Sequence, residues 1–222
     1  MNIRDTIHIL RSIPKTLYFN FQYFKWKDAI QLPVFISHRV VLRETKGKIT
    51  ISNEKKMAMI RIGFGDVGHF DRRRSRSIWQ VSGEINFRGK ANIGHGSKIS
   101  CRGKLTVGEN FNITAESTLL CAKEITFGNN CLLSWDVLVM DTDFHPVFDK
   151  NKSRVNPDKA VVVGNDVWIG CRSTILKGTI IDNNTVVAAN TVIGKKIEGG
   201  NQVIGGNPPA VIKKEIYWSG NV

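Results

Sequence analysis

A chain of 222 residues is long enough for one sizeable domain, and 32 Lys and Arg against 19 Asp and Glu leave a formal charge of +13. That balance favours anionic partners (nucleic acid, an acidic membrane surface, a phosphorylated small molecule) without choosing among them. No apolar run reaches transmembrane length and no secretory signal is expected. The four cysteines (Cys101, Cys121, Cys131, Cys171) form no Cys-x-x-Cys pair for structural zinc, so a reduced, cytoplasmic protein is the expectation.

Residues 1–30 contain I-R-D-T-I-H-I-L-R and the aromatic L-Y-F-N-F-Q-Y-F-K-W, with Lys and Arg interspersed. Two readings stay open: an amphipathic segment resting on a membrane surface, or a cap closing the open end of a repeat domain. Residues 32–90 read as strands with irregular edges, early coils of a repeat domain with poor sequence fidelity. They include F-D-R-R-R-S-R at 70–76, either a solvated basic loop or a contact for a phosphate-bearing acceptor.

From residue 163 aliphatic side chains recur at strict sixes: Val163, Ile169, Ile175, Ile181, Val187, Ile193. Four residues after each comes Val167, Ser173, Thr179, Thr185, Thr191 or Ile197, mostly small or β-branched. Upstream the same template runs in three series with two-residue slips: Ile93, Ile99, Leu105; Val107, Ile113, Leu119, Ile125; Phe127, Leu133, Val139. The slips place T-V-G-E-N at 106–110 twenty residues before T-F-G-N-N at 126–130. A six-residue period suits a short strand plus a corner. Three such sides close a triangular coil, and stacked coils make a parallel β-helix, an all-β fold. The spacing leaves the hand undetermined. The expected organisation is an N-terminal helical or irregular segment over 1–30, a β-helix over 31–215 and a tail over 216–222.

The hexads stop at V-M-D-T-D-F-H-P, residues 139–146, where an extended loop of about 140–160 leaves the coil. Two acids and a histidine at the break mark a candidate site. An imidazole is the side chain best suited to act as an unprotonated base near neutral pH.

The hexads, this histidine loop, V-V-V-G-N-D-V-W-I-G at 161–170 and the closing I-G-G-N-P-P-A-V-I-K-K together resemble the hexapeptide-repeat acyltransferases. The likeness covers roughly residues 90–215, and it is to the galactoside and maltose O-acetyltransferases and to enzymes that acetylate exopolysaccharide sugars. It implies a left-handed β-helix, a homotrimer, and acetyl-CoA as acyl donor in the groove between subunits, with no metal. It places the catalytic base on His145, with Asp143 or Asp141 orienting the ring. For coenzyme A the matching positions are Trp168, Cys171 where relatives have Ser, Ala189, Gly194, Lys195, and Lys213 where relatives have Arg; Lys196 and Lys214 add positive charge. Thr114 stands where the galactoside enzymes present Asn to the sugar, so a different acceptor is expected.

The resemblance therefore implies an acetyl-CoA-dependent O-acetyltransferase acting on a saccharide or lipid-linked saccharide destined for a cell-surface polysaccharide. The enzyme would be cytoplasmic or peripheral at the inner membrane face. Alternatives are a drug, serine or amino-sugar acceptor, a metal-bearing carbonic-anhydrase-like β-helix and a catalytically silent scaffold. No nucleic-acid motif accompanies the charge. His95, within I-G-H-G, is expected on the coil surface.

Overall fold

The six-residue period closes into triangular coils. A computed structural model describes residues 3–65, 67–71 and 75–220. Among these, the strands form three sheets of nine, seven and seven strands. Successive strands go to successive sheets, so each coil contributes one strand to each. The first sheet takes Ala91–Gly94, Phe111–Ile113, Leu132–Leu133, Trp168–Ile169 and Thr185–Val187 in turn; the second takes Lys98–Cys101, Thr118–Cys121, Leu138–Met140, Thr174–Ile175 and Val192–Ile193; the third takes Lys104–Val107, Glu124–Phe127, Val161–Val163, Ile180–Ile181 and Lys196–Ile197. The chain is thus an all-β, left-handed parallel β-helix.

Register records the change in coil length that the slips announced. Asn112 pairs with Leu132, twenty residues on, whereas Trp168 pairs with Val186, eighteen on. The longer coils carry the T-V-G-E-N and T-F-G-N-N corners, whose last residues Asn110 and Asn130 adopt φ of 56° and 57°. A left-handed residue turns the corner, and Asn tolerates that conformation better than most side chains. The corners then stack: Asn110 Nδ2 donates to Asn130 Oδ1, and Asn130 Nδ2 to Asp166 Oδ1.

Every aliphatic of the strict series is buried, as are Val167, Ser173, Thr179, Thr185, Thr191 and Ile197. The hydroxyls at that second position do not go unpaired in the core. Ser173 and Thr191 donate to Ala188 O, and Thr179 donates to Ile193 O. Each fully buried Ile or Val contributes about 1.5–3 kcal/mol, but only because the coils above and below cover it.

Both ends of the stack are closed. Helix α1 (Ile3–Tyr23) lies along Val34–Ile36, the outermost strand of the first sheet. Its Ser12, Thr16 and Asn20, four apart and so on one face, satisfy the strand's free edge. His38 N donates to Ser12 Oγ, Ile36 N to Thr16 Oγ1, and Val34 N to Asn20 Oδ1, while Asn20 Nδ2 returns a bond to Val34 O at 2.7 Å. Unpaired strand edges invite aggregation, and this helix removes one. Phe19 is fully buried against Trp79, whose indole donates to the Tyr23 hydroxyl. Helix α2 (Trp26–Ala29) follows, and the far end is covered by Ala210–Lys214, antiparallel to Gln202–Gly205. The irregular segment before residue 90 is built of strands of the same three sheets, beginning at Val34–Ile36.

Candidate active site

The insertion leaves the coil between Leu138–Met140 of the second sheet and Val161–Val163 of the third, so it replaces one corner of one coil. Asp141 and Thr142, at its root, are buried; residues 143–150 are exposed. The Asp141 carboxylate accepts three backbone N–H bonds, from Ala122 at 2.7 Å, Lys123 at 2.8 Å and Glu124 at 2.7 Å. It ties the loop root to the corner of the preceding coil. Asp141 is thereby engaged with the backbone at the loop root, while Asp143 is the acid that shares the histidine's turn.

Beyond the root, polar bonds fix the course of the loop. Thr142 Oγ1 donates to Asp158 Oδ1 and accepts from Phe144 N, while Asp158 pairs with Arg154 at 3.1 Å. Phe144 takes a left-handed φ of 61°, and His145 N closes onto Asp143 O at 2.7 Å, a three-residue turn. Asn156, on the returning strand of the loop, holds that turn from three sides. Its Nδ2 donates to His145 O and to Asp143 Oδ2, and its Oδ1 accepts from Val147 N. Lys177 arrives from the same corner one coil on, and its ammonium contacts Asp143 Oδ2 and Asn156 O. The Lys177 contact, then the Asn156 amide, hold the Asp143 carboxyl below its ordinary pKa.

The result is a histidine whose backbone is clamped and whose ring is exposed. Among the described residues of one protomer the His145 ring makes no hydrogen bond or ion pair. Asp143 shares its turn, but the carboxylate faces Lys177 and Asn156. The sequence contained no period or motif that singled out Asn156. Nor did it single out Lys177, since the next coil carries Lys195 at the same corner.

Beside the turn, the Phe144 ring lies 5.7 Å from the Arg102 guanidinium. The two help line a cavity of about 260 Å³ on the outer face of the second sheet, with Glu44, Gln80 and Ser100 beneath them.

The remaining candidates fall in other places. Trp168 lies on the outer face of the first sheet; its indole donates to Ser134 Oγ at 3.0 Å, and its ring packs 6.0 Å from that of Trp218 in the C-terminal segment. Cys171 and Ala189 occupy the corner between the first and second sheets in successive coils, joined by Asn190 N to Cys171 O. Gly194 and Lys195 turn the corner between the second and third sheets in the last coil, the corner that carries the histidine loop and Lys177. Lys213 is on the closing edge strand, paired in register with Val203. Lys196 is engaged by Glu198 at 3.1 Å; among the described residues neither Lys195 nor Lys213 has an ion-pair partner.

Thr114 lies at the corner between the first and second sheets with its Oγ1 enclosed and without a hydrogen-bond partner among the described residues. His95, expected at the surface, is buried beneath that corner, with the Phe70 ring 6.1 Å away. Within the basic run at 70–76, Arg72, Arg73 and Arg74 lie outside the described residues, while the Ser75 hydroxyl bonds Glu116. Among the described residues no three His, Cys, Asp or Glu side chains are grouped to hold a metal ion.

Residues 160–195 match the family model described as bacterial transferase hexapeptide, six repeats. The matched stretch is the run of strict hexads that follows the histidine loop. The hexapeptide-repeat chain is 45% identical over 121 residues to the polysialic acid O-acetyltransferase of Neisseria meningitidis, covering 54% of either chain. It is 31% identical over 125 residues to the polysialic acid O-acetyltransferase of Escherichia coli O1:K1, covering 56% of this chain and 39% of that one. It therefore spans about half or less of the length of these relatives. Its fold matches the crystal structure of the polySia-specific acetyltransferase NeuO with a TM-score of 0.51 at 23% identity, covering 81% of this chain and 72% of that one.

Proposed function

We propose that this chain is an O-acetyltransferase that moves the acetyl group of acetyl-CoA to a hydroxyl of a saccharide, with His145 as general base. The observation that carries the reading is the construction of the 141–158 loop. Several side chains serve to fix the backbone of one residue, and that residue's imidazole is left exposed at the edge of the coil. The relatives, named as polysialic acid O-acetyltransferases, support a polysaccharide acceptor.

The chemistry follows from that ring. An imidazole nitrogen takes the proton of the acceptor hydroxyl as its oxygen bonds to the thioester carbon. The C–S bond then breaks, and the imidazolium returns the proton to the departing thiolate, so ester and free thiol are formed and the histidine is regenerated. Asp143 acts through the turn, by holding His145 in place.

The residues fit coenzyme A as substrate in two groups. Gly194 and Lys195 share the histidine's corner; Trp168, Cys171 and Ala189 lie on the first sheet and its corner with the second. These two groups are on different edges of one protomer, which supports a homotrimer in which one copy's histidine loop faces a neighbour's Trp168 edge. Lys195 and Lys213, without ion-pair partners among the described residues, are suited to the nucleotide phosphates. The cavity under Phe144 suits the acceptor, having hydroxyl and amide groups, a cation and one aromatic ring adjacent to His145. A stoichiometric assay of thiol release from acetyl-CoA across acidic and neutral polysaccharides tests the reading. Release with an acidic polysaccharide but none with amine drugs is expected, and release with amine drugs alone would replace it.

A further inference from the structure

Helix α1 does two jobs with opposite faces. Its inner face caps the β-helix; the outer one is apolar and uncovered. Leu10 is 58% exposed, Leu17 and Phe21 are each 41% exposed, and Ile7 and Ile13 stand out beside them. These positions recur at three- and four-residue intervals and so form one stripe along the helix. The stripe continues onto α2: the rings of Phe21 and Trp26 are 5.2 Å apart, Trp26 is 71% exposed, and Ile30 follows.

The rim of this stripe has one sign. Between Asp5 and Asp28 the chain has no acidic residue; Arg11, Lys25 and Lys27 are exposed, while the Lys15 ammonium is turned inward onto the His38 and Val40 carbonyls. Asp28 is neutralised by Lys55 at 3.2 Å. Around the middle of the helix the cations concentrate further. Burial, and then the fields of Arg39, Arg11 and Lys15, keep the His38 imidazole below its ordinary pKa, and Arg76 adds its charge beside Lys15. A second copy is a poor occupant, because a symmetric contact between two such faces would set a cationic rim against a cationic rim. An anionic lipid surface accepts both features, since apolar side chains enter the acyl boundary while Lys and Arg meet the headgroups and Trp sits at the interface.

We propose that the outer face of α1, extended by Trp26 and Ile30, docks the protein onto an anionic membrane surface while its inner face caps the β-helix. Among the described residues no helix is long and apolar enough to cross a bilayer, and this contact lies in the plane of the interface. The inference does not depend on the acetyltransferase reading.

The test is co-sedimentation of the full chain with vesicles of phosphatidylcholine alone and of phosphatidylcholine with about one-third phosphatidylglycerol, with added salt as a second axis. Wild type is expected to pellet with the anionic vesicles and to be released from them by salt, with about tenfold or weaker binding to the neutral ones. Leu10→Glu/Leu17→Glu/Phe21→Glu should lose this binding by about tenfold or more, with an unchanged circular dichroism spectrum. Arg11→Gln/Lys25→Gln/Lys27→Gln leaves the stripe intact and should lose the preference for anionic vesicles, which keeps the test decisive should the first variant misfold. Wild type that ignores anionic vesicles, or both variants binding like wild type, overturns the proposal. So does a triple-Glu variant that sediments as a smaller assembly than wild type, since the face would then be an interface between copies.

Discussion

Replacing Asp141 by Ala separates two roles that the sequence could not separate. The carboxylate is fully buried and accepts three N–H bonds of 2.7–2.8 Å at the corner of Ala122, Lys123 and Glu124. Hydrogen bonds to a charged acceptor are each worth about 1.5–3 kcal/mol. The three share one acceptor and Lys123 is exposed enough for water to replace part of the loss, so their sum is not additive. A destabilisation of about 3–5 kcal/mol is the expected scale. For a domain of this size that corresponds to a fall in Tm of about 6–20 °C. Thermal unfolding followed by circular dichroism measures it, alongside thiol release from acetyl-CoA at a temperature where the variant is still folded. The folded fraction should retain its rate to within about fivefold, since roughly 1 kcal/mol of residual loop displacement is all that remains. A variant that melts within about 2 °C of wild type yet loses more than a hundredfold in rate would refute the argument and return Asp141 to the histidine.

Asn156→Ala should behave in the opposite way. It removes three bonds from an exposed turn, so Tm should move by less than about 4 °C while kcat/KM falls about 10–100-fold; equal losses in both would make Asn156 merely structural. The Asp143 carboxyl, held low by Lys177 and then Asn156, contributes its clamp fully above the ordinary carboxylate pKa of about 3.9 and loses it as pH falls through the lower folded value. Hydrogen exchange across residues 141–158, corrected for intrinsic rates, should therefore show constant protection from pH 8 to 5; a loss near pH 6 would assign the clamp to another group. Burial pushes the Cys131 thiol up to about 12, and Cys101 and Cys121 are buried side by side in the second sheet, so only the partly exposed Cys171 should be alkylated in the native protein. Peptide mapping checks this, and coenzyme A should slow the reaction if Cys171 lies in the cofactor groove.

The β-helix was readable because its determinants repeat. Ile169, Ile175 and Ile181 sit at one position of a fixed period, and the physical demand for an inward side chain every six residues is the same on every coil. The two-residue slips were legible for the same reason, and the pairing of Asn112 with Leu132 shows what they do. The break at Val139 was legible as a break. Its internal wiring was not, because Asn156 and Lys177 reach Asp143 across sequence separations of 13 and 34 that no local pattern encodes. Asp141 and Asp143 looked equivalent in sequence; burial of one and exposure of the other distinguish them. The cap did leave a trace in Ser12, Thr16 and Asn20, small polar residues spaced four apart along one face of the helix. The stripe of Leu10, Leu17 and Phe21 on the other face is what the proposed membrane contact rests on. In sequence the cap and the membrane contact had stood as alternatives.

Thiol release from acetyl-CoA by wild type and His145→Ala, with an acidic polysaccharide as acceptor, bears most directly on the proposed chemistry. Wild type should release thiol only when acceptor is present, and the variant should fold identically while losing about 10²–10⁴-fold in rate, the usual contribution of a positioned general base. Undiminished release by His145→Ala would contradict the account.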